Sequence, residues 1–432
     1  MEELQHMLMR WKKAETITSH PNRPHRRRVR KLKPCQSNMP SCSILAPGGR
    51  WLIVCTHDAA AYYYDLDAAD PTQTSVLFPA QMSIPESQMA NHEWHQVIGS
   101  ETELIPGAET LSFRFAMSFL EYPDNYASTV QVWEVTLFFD PEYHSQCRLS
   151  AHRTASISFD TALGYADVRC LSGEHLVVQI RVLCTNPGRN ALVIFNWKEV
   201  QQRPSTFERR VILMDNVGFS LMYFDNVELS IEQTLLQYLG WCALMEYNLF
   251  VSMVNLEVYD YRHFEVTTSW SPENYNDNVR AIASVPGQHI DFSQPVNIQA
   301  ATGTTKVVLA RSWDMHRDKV IMVPLDNEYR FTPNFYPKVI GSFPLGPDFV
   351  SSFSSKRRLG YRHGIAIDNR TLQIIEYKQA SASRSEASDA GIVNWDIGID
   401  PEASFIANYD ESIGRLILGD DTATLSIVDL AL

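Results

Sequence analysis

Two short motifs contain residue types that could support metal binding or proton transfer. The stretch NHEWH places His92 and His95 three positions apart around Glu93. Zinc proteases use His-Glu-x-x-His, which puts both imidazoles on one helical face with the glutamate as base, and the spacing here does not match. MHRD, at 315–318, matches only part of a kinase catalytic loop, because Val323 stands where the loop needs Asn and no glycine-rich phosphate loop occurs. Neither motif predicts catalysis.

The cysteines and carboxylates give no stronger signal. The chain has seven scattered cysteines and no Cys-x-x-Cys, so neither a zinc site nor a redox pair is predicted. No Gly-x-Ser-x-Gly nucleophile elbow occurs. The 50 acidic residues leave one alternative open, a hydrolase or lyase whose paired carboxylates come from distant loops. We predict a protein that is not an enzyme and uses no metal or cofactor.

Positive charge is concentrated at the start of the chain. Residues 1–33 contain ten Lys/Arg and three Glu, whereas the whole chain has a net charge of −13. The remaining acidic body would repel phosphates, which argues against nucleic-acid binding by that part. The run HRRRVRKLK is predicted to be an exposed arm, and it could be a nuclear import signal, an anchor to an anionic surface or a plain linker. The candidate residues of this basic arm are Arg26, Arg27, Arg28, Arg30 and Lys31.

The sequence also bears on the compartment. The opening MEELQHMLMRWKKAET is interrupted by charges and has no secretory apolar segment, so we expect a cytoplasmic or nuclear protein. The most apolar window, 235–254, contains Gln237, Glu246 and Asn248. A charge near the bilayer centre costs about 2.5 to 3.5 kcal/mol on insertion scales. We therefore predict two buried strands in this window and no membrane span.

The chain changes in character at about residue 40. Leu4, Met7, Leu8 and Trp11 form one stripe, which predicts a short amphipathic helix before the basic run. Beyond residue 40, short runs of Val, Ile, Leu, Phe and Tyr alternate with Gly, Asn, Asp and Pro, as is typical of strands and turns. We therefore assign 1–40 to a helix and arm and 41–432 to an all-β domain. Only FNWKEVQQ and VELSIEQTLLQYL could hold brief helices.

The β region is repetitive. SILAPGGRWLIVCTHDAAAYYYDLD, at 43–67, has two apolar runs around a turn, and six later stretches have the same form, with an average spacing of about 61 residues. A unit of this kind is apolar on both sheet faces and must pack against copies of itself. Closure into a ring leaves only short, protected edges. We predict a β-propeller of seven blades, within a range of six to eight. The runs end near Asp65, Glu134, Asn196, Asp260, Asp326, Glu376 and Asp429.

The first unit allows a prediction for individual side chains. Alternation along the strand puts Trp51, Ile53 and Cys55 against one neighbouring blade, and Leu52 and Val54 against the other.

The first and last units of the repeat array also allow predictions, one about the role of Asp65 and one about the last strand. Asp65 ends the first hairpin, where its carboxylate can accept backbone N–H bonds, and the acidic residues that end other units favour a structural role over a catalytic one. The last run, 424–430, is predicted to be a paired strand that seals the ring beside 43–54.

The motifs LAPGGRWLIV and YYYDLD, with NYDESIGRLILG and LSIVDL near the end, resemble the C-terminal region of F-box proteins of mushroom-forming fungi. The resemblance covers 1–67 and 400–430 directly. It implies a propeller that serves as the substrate-recognition part of an F-box-type ubiquitin-ligase subunit. Those proteins carry a Leu/Pro-rich F-box that docks a cullin-ligase adaptor. Because no such segment is visible before the first predicted strand, we expect a relative that keeps only the recognition half.

We therefore predict protein–protein recognition through rim loops. The alternative is a propeller hydrolase or lyase with carboxylates in the central channel. An enzyme is expected to show neighbouring acidic side chains with shifted pKa values, whereas a recognition module is expected to show an exposed apolar patch.

Overall fold

The structure of the protein is a computed structural model, and the statements below concern the ranges that it describes. The helix predicted near the N-terminus and the stretch VELSIEQTLLQYL lie outside these ranges. The described residues are 28–32, 40–46, 48–56, 59–80, 95–105, 107–121, 128–139, 147–159, 165–181, 190–202, 207–214, 242–245, 248–252, 256–264, 266–268, 283–285, 288–289, 305–312, 317–324, 338–344, 357–359, 363–368, 371–376, 391–395, 404–410, 413–420 and 424–430.

Within these ranges the backbone is mostly β and forms seven antiparallel sheets, of which the third has five strands and the others four. After β1 (Arg28–Lys31), the first three sheets follow in chain order. Their strands are β2 (Pro40–Leu45), β3 (Trp51–Thr56), β4 (Ala61–Asp65) and β5 (Thr74–Phe78); β6 (His95–Leu104), β7 (Ser112–Glu121), β8 (Ser128–Phe139) and β9 (Cys147–Phe159); and β10 (Tyr165–Ser172), β11 (His175–Arg181), β12 (Asn190–Asn196) and β13 (Arg209–Met214).

The remaining strands continue the same pattern, and the third sheet gains a short fifth strand from later in the chain. Helix α1 (Trp197–Gln202) follows β12, which confirms the brief helix predicted in FNWKEVQQ. The strands are β14 (Cys242–Met245), β15 (Asn248–Ser252), β16 (Leu256–Asp260) and β18 (Ala283–Val285), with β17 (Val266–Thr267) on the third sheet; β19 (Gln288–His289), β20 (Thr305–Ser312), β21 (Arg317–Pro324) and β22 (Lys338–Pro344); β23 (Arg357–Leu359), β24 (His363–Asp368), β25 (Thr371–Glu376) and β26 (Gly391–Trp395); and β27 (Ser404–Asp410), β28 (Arg415–Asp420) and β29 (Leu425–Asp429).

Strand β3 of the first sheet is buried on both faces and has no exposed residue. Trp51, Ile53 and Cys55 belong to an apolar cluster shared with the second sheet. Leu52 and Val54 belong to a different cluster, shared with the last sheet. The predicted division of this strand between two neighbours is confirmed. A sheet of this kind gains most of its stability by burying apolar area against both neighbours.

The first strands of five pairs of neighbouring sheets face one another. Strand β2 contacts β6 and β27, β10 contacts β6 and β14, and β23 contacts β27. Sheets that are built from successive chain segments and that meet along their first strands have the arrangement of a β-propeller. The apolar window that we predicted to hold two strands contains β14 and β15. No helix in the described ranges is long and apolar enough to cross a bilayer.

The segment that we expected to be an exposed basic arm contributes β1 to the last sheet. Arg28 lies opposite Asp429 and Lys31 lies opposite Ser426 in an antiparallel ladder. Without β1, the backbone N–H and C=O groups of β29 would form an open edge. Alternation along β1 turns Arg30 inward, whereas Val29 is 41% exposed. The strand lies before residue 41, where we placed the start of the β domain.

The last strand is paired as we predicted, and its hydrogen bonds go to β28 and β1. Its contact with the first sheet is made by side chains, because Leu425 and Ile427 share a cluster with Leu52 and Val54.

Deletion of residues 423–432 removes β29 from the middle of this sheet. The loss of its buried apolar side chains, at about 1.5 to 3 kcal/mol each, is comparable to the whole stability of a typical domain. We expect the truncated chain to lose its cooperative thermal transition, measured by circular dichroism. Deletion of residues 431–432 alone is the matched control and should preserve the transition. A chain without β29 that melts as cooperatively as the full chain would contradict this prediction.

Candidate functional site

A buried charged network joins the first sheet to the last. Arg415 begins β28 and is fully buried. Its Nε donates to Asp429 Oδ1 at 2.7 Å, and one terminal nitrogen donates to Asp67 Oδ1 at 2.8 Å. The other terminal nitrogen donates to the carbonyl oxygen of Gly49 at 2.7 Å. A buried guanidinium is tolerated only when its donors are paired in this way.

Arg30 brings β1 into the same network. It donates to Asp429 Oδ2 at 2.9 Å and to the carbonyl oxygen of Leu66 at 2.9 Å. Asp429 thus receives one guanidinium on each carboxylate oxygen. Burial acts to lower the pKa of Arg415, but Asp429 and Asp67 outweigh it, so that the pKa lies above its usual value. Arg415 therefore stays charged at every pH at which the protein folds.

The residues of the predicted basic arm are thus divided. Arg26 and Arg27 lie outside the described residues, and Arg28 is placed by its backbone in β1. Arg30 is held in the network, whereas the Lys31 side chain is exposed.

The turn between β2 and β3 fits closely against the last sheet. Gly49 has φ +66°, and a Cβ at this position would collide with Ile413. This position therefore needs a residue that tolerates a positive φ and has no Cβ, and the second glycine of the Pro-Gly-Gly stretch meets both conditions. Arg50 forms a bidentate salt bridge with Asp65, and Asp65 Oδ1 also accepts the N–H of Asp67 at 3.1 Å. The structural role predicted for Asp65 is confirmed.

A second charged junction joins the second and third sheets. The carboxylate of Glu103 accepts the N–H of Gly173 at 2.8 and 2.9 Å and a bond from Arg114 at 3.2 Å. The indole of Trp197 donates to the carbonyl oxygen of Gly173 at 3.1 Å. Burial lowers the pKa of nearby His175, which keeps this imidazole neutral at pH 7, although Glu174 and Glu199 oppose the shift.

The outer half of the second sheet has one face that its neighbours leave uncovered. Residues directly opposite each other in an antiparallel pair lie on the same face. Glu134 pairs with His152, Thr136 with Ser150, and Phe138 with Arg148. We call this set the second-sheet face; its residues are Glu134, Thr136 and Phe138 on β8 and Arg148, Ser150 and His152 on β9.

The two faces of β8 and β9 have opposite character. On the reverse face, Val135, Leu137 and Leu149 belong to the cluster shared with the first sheet. On the second-sheet face, Phe138 is 57% exposed, and the three β9 residues are exposed as well. Val132 lies farther along the same face and is buried against the third sheet. The third sheet therefore covers only the first half of this face.

A bulge in β9 switches the side of the strand on which the apolar residues lie. Trp133 pairs with Arg153 while Val132 pairs with Ala155, so that Thr154 is the extra residue. The bulge reverses the side chains of β9, and its later part contributes Ala155 to the core shared with the third sheet. Thr154 Oγ1 donates to the carbonyl oxygen of Val132 at 2.9 Å, which holds the bulge.

The sequence prediction missed this face. TVQVWEVTLFFD was interpreted as a weak hairpin whose apolar run ends near Glu134, but the structure has one continuous strand, β8. No Gly, Pro or Asn interrupts the segment, and alternation of polar and apolar residues continues past Glu134 to Leu137. That uninterrupted alternation was the signal for a long strand with one solvated face.

The motifs that could have held a metal are not assembled into a site within the described residues. His95 begins β6 and Asp318 lies on β21, whereas His92, Glu93 and His316 lie outside the described ranges. Among the residues that the structure describes, no group of three His, Cys, Asp or Glu side chains could hold a metal ion.

Successive antiparallel sheets of the described residues define a β-propeller, and the charged junction and the second-sheet face are two of its features. No protein-family model matches the sequence, and no curated protein matches it either. Solved propellers are similar to it in structure. The Myceliophteria thermophila Cps50 (Swd1) β-propeller domain is 10% identical, with a TM-score of 0.44, over 93% of this chain and 99% of that one.

Two further solved structures are of the same kind. The RRP9 WD40 repeats are 9% identical, with a TM-score of 0.42, over 93% of this chain and 97% of that one. The WD40 domain of SCAP from fission yeast is 9% identical, with a TM-score of 0.39, over 91% of this chain and 85% of that one. At TM-scores below 0.5, these likenesses carry no argument about this chain.

Replacement of Arg415 tests the charged junction. Arg415→Met leaves Asp429 and Asp67 without their buried partner, and we expect a loss of about 3 to 5 kcal/mol in the free energy of unfolding. Arg50→Met is the matched control, because Arg50 occupies the corresponding place in the first sheet but its ion pair is partly exposed, where such pairs contribute up to about 1 kcal/mol. Urea denaturation measures both. Equal losses would contradict the assignment.

Proposed function

We propose that the chain is a closed seven-bladed β-propeller that binds a protein partner and has no catalytic role. The single observation that carries the proposal is the exposure of Phe138 on a regular sheet face that its neighbours leave uncovered. Exposed apolar side chains on an ordered, rigid surface are characteristic of binding sites, where a few anchors supply most of the affinity.

Charge indicates the kind of partner. On the second-sheet face, strand β9 contributes Arg148 and His152, and the strand has no acidic residue, although the chain as a whole carries −13. A partner segment with acidic residues around an apolar side chain would complement this strand and the exposed Phe138 ring. The row formed by Glu103, Arg114 and Glu134 runs across β6, β7 and β8 and alternates in charge, which stabilises the platform under the contact.

The alternative function, a hydrolase or lyase with carboxylates in the central channel, has no specific observation in its favour within the described part of the chain. The resolved carboxylate shift is that of Glu174, whose pKa is lowered mainly by its hydrogen bond to Lys198, with the charge of Lys198 adding to the effect. This is an exposed ion pair on the surface.

A narrower proposal is that the protein is the substrate-recognition part of an F-box-type ubiquitin ligase. The supporting observation is the resemblance carried by LAPGGRWLIV and the closing motifs. Affinity purification from the native cell tests this role, since the adaptor and the cullin should be recovered with the protein. Recovery of partners without adaptor or cullin would leave the binding function and contradict the ligase role.

The exposed apolar side chains provide a matched test of the binding surface. Phe138→Ser should lower the affinity for a purified partner by about 30-fold, equivalent to about 2 kcal/mol for an anchor residue. Val76→Ser is the control, because Val76 is equally exposed, at 57%, on the first sheet. Isothermal titration calorimetry gives both affinities. Binding that is unchanged by Phe138→Ser, or weakened equally by both substitutions, would contradict the proposed surface.

We propose that the residues of the basic segment direct nuclear import and in this way determine the compartment. Arg30 must be kept in the test, because it belongs to the charged junction. Replacement of Arg26, Arg27, Arg28 and Lys31 by Gln should move a fluorescent fusion from the nucleus to the cytoplasm without lowering its melting temperature. An unchanged distribution would contradict import, and Arg30→Gln alone should instead reduce stability.

A further inference from the structure

Two cysteines of the first sheet lie directly opposite each other. Cys42 on β2 pairs with Cys55 on β3, and the register is regular from this pair to Leu45 and Leu52, with a shift on the other side, between Pro40 and Cys42. Directly opposed residues in an antiparallel pair have Cα atoms about 4.5 to 5.5 Å apart. Disulfides span Cα distances of about 4.4 to 6.8 Å. The backbone register therefore already has the spacing that a bond between these two sulfurs requires.

The surroundings distinguish the two thiols. Cys55 is buried in the cluster between the first and second sheets, whereas Cys42 is partly exposed. Cys42 lies on the first strand of its sheet, next to β6 of the second sheet. A hydrogen bond from Cys55 lowers the pKa of the Cys42 thiol; burial opposes the shift, and a hydrogen bond from Ser100 adds to it. A thiol that ionises more readily and is partly exposed is the more reactive of a pair.

The other cysteines on described strands lie opposite residues that carry no sulfur. Cys147 lies opposite Phe139, Cys170 opposite Val177 and Cys242 opposite Val251. They are therefore internal controls for reactivity that depends on a second thiol.

We propose that Cys42 and Cys55 form an oxidisable dithiol site, in which Cys42 reacts first with a peroxide and Cys55 then closes an intrasheet disulfide. In the first step, the Cys42 thiolate attacks one peroxide oxygen, an S–O bond forms and the O–O bond breaks. The leaving hydroxide takes a proton and becomes water. Cys42 is now a sulfenic acid, which is the first reversible state of cysteine oxidation.

In the second step, the Cys55 sulfur attacks the Cys42 sulfur, the S–S bond forms and the S–O bond breaks. The departing hydroxide takes the proton released by the Cys55 thiol. Two thiols and one hydrogen peroxide thus give one disulfide and two waters. A thiol reductant reverses the change by exchange through the more accessible Cys42 sulfur.

Mass mapping of the full-length protein tests the site. The protein is treated with hydrogen peroxide, quenched and unfolded, its free thiols are blocked with maleimide, and it is digested with trypsin, which separates Cys42 from Cys55 at Arg50. We expect a linked pair of peptides that dithiothreitol separates, while Cys170 keeps its maleimide. Because Cys35 shares a tryptic peptide with Cys42, the link must persist in Cys35→Ser.

Two substitutions assign the roles of the two sulfurs. Cys42→Ser should abolish the link, and Cys55→Ser should leave Cys42 as a sulfenic acid that dimedone traps. Wild-type mapping does not depend on the folding of either variant. Complete maleimide labelling of Cys42 and Cys55 after peroxide treatment, or a link that survives Cys42→Ser, would overturn the proposal.

Discussion

The central strand of the first sheet is apolar on both faces, and this is the constraint on which the described structure depends. The first sheet can be stable only when a neighbour covers each face, because its central strand β3 has no exposed residue. The chain meets this requirement at its ends by joining β1 to β29. Arg415 and Arg30 on the two oxygens of Asp429 fix the joint, since any separation would leave buried charges unpaired.

The same constraint explains where functional surfaces arise. The sheets differ in strand length, and β8 and β9 extend beyond the part of their face that the third sheet covers. The uncovered part carries Phe138, Arg148 and His152, on a platform whose reverse face packs Val135 and Leu149 against the first sheet. Close packing along the first strands also brings Ser100 to Cys42. The proposed binding face and the proposed thiol site are both consequences of how neighbouring sheets cover one another.

Much of the fold could be predicted because its causes are local. Local sequence patterns predict the strand pairs directly. These patterns are the alternation from Trp51 to Cys55, the Pro-Gly-Gly turn and the recurring hairpins. The basic segment was misjudged because its charges predict solvent exposure, whereas β1 is held by the open edge of a strand some four hundred residues away. Cys42 and Cys55 seemed unrelated by spacing, yet they are equidistant from the Gly48–Gly49 turn, and that symmetry is the signal that pairs them across the hairpin.

Native-state hydrogen exchange tests the central claim most directly, since it measures whether the two chain ends are protected together. If β1 closes the ring, the amides of Arg28–Lys31 and Leu425–Asp429 should exchange only through an opening that breaks both strands, with protection that falls in parallel as denaturant is added. Rapid exchange of Arg28–Lys31 while Leu425–Asp429 stays protected would contradict closure by the N-terminal strand.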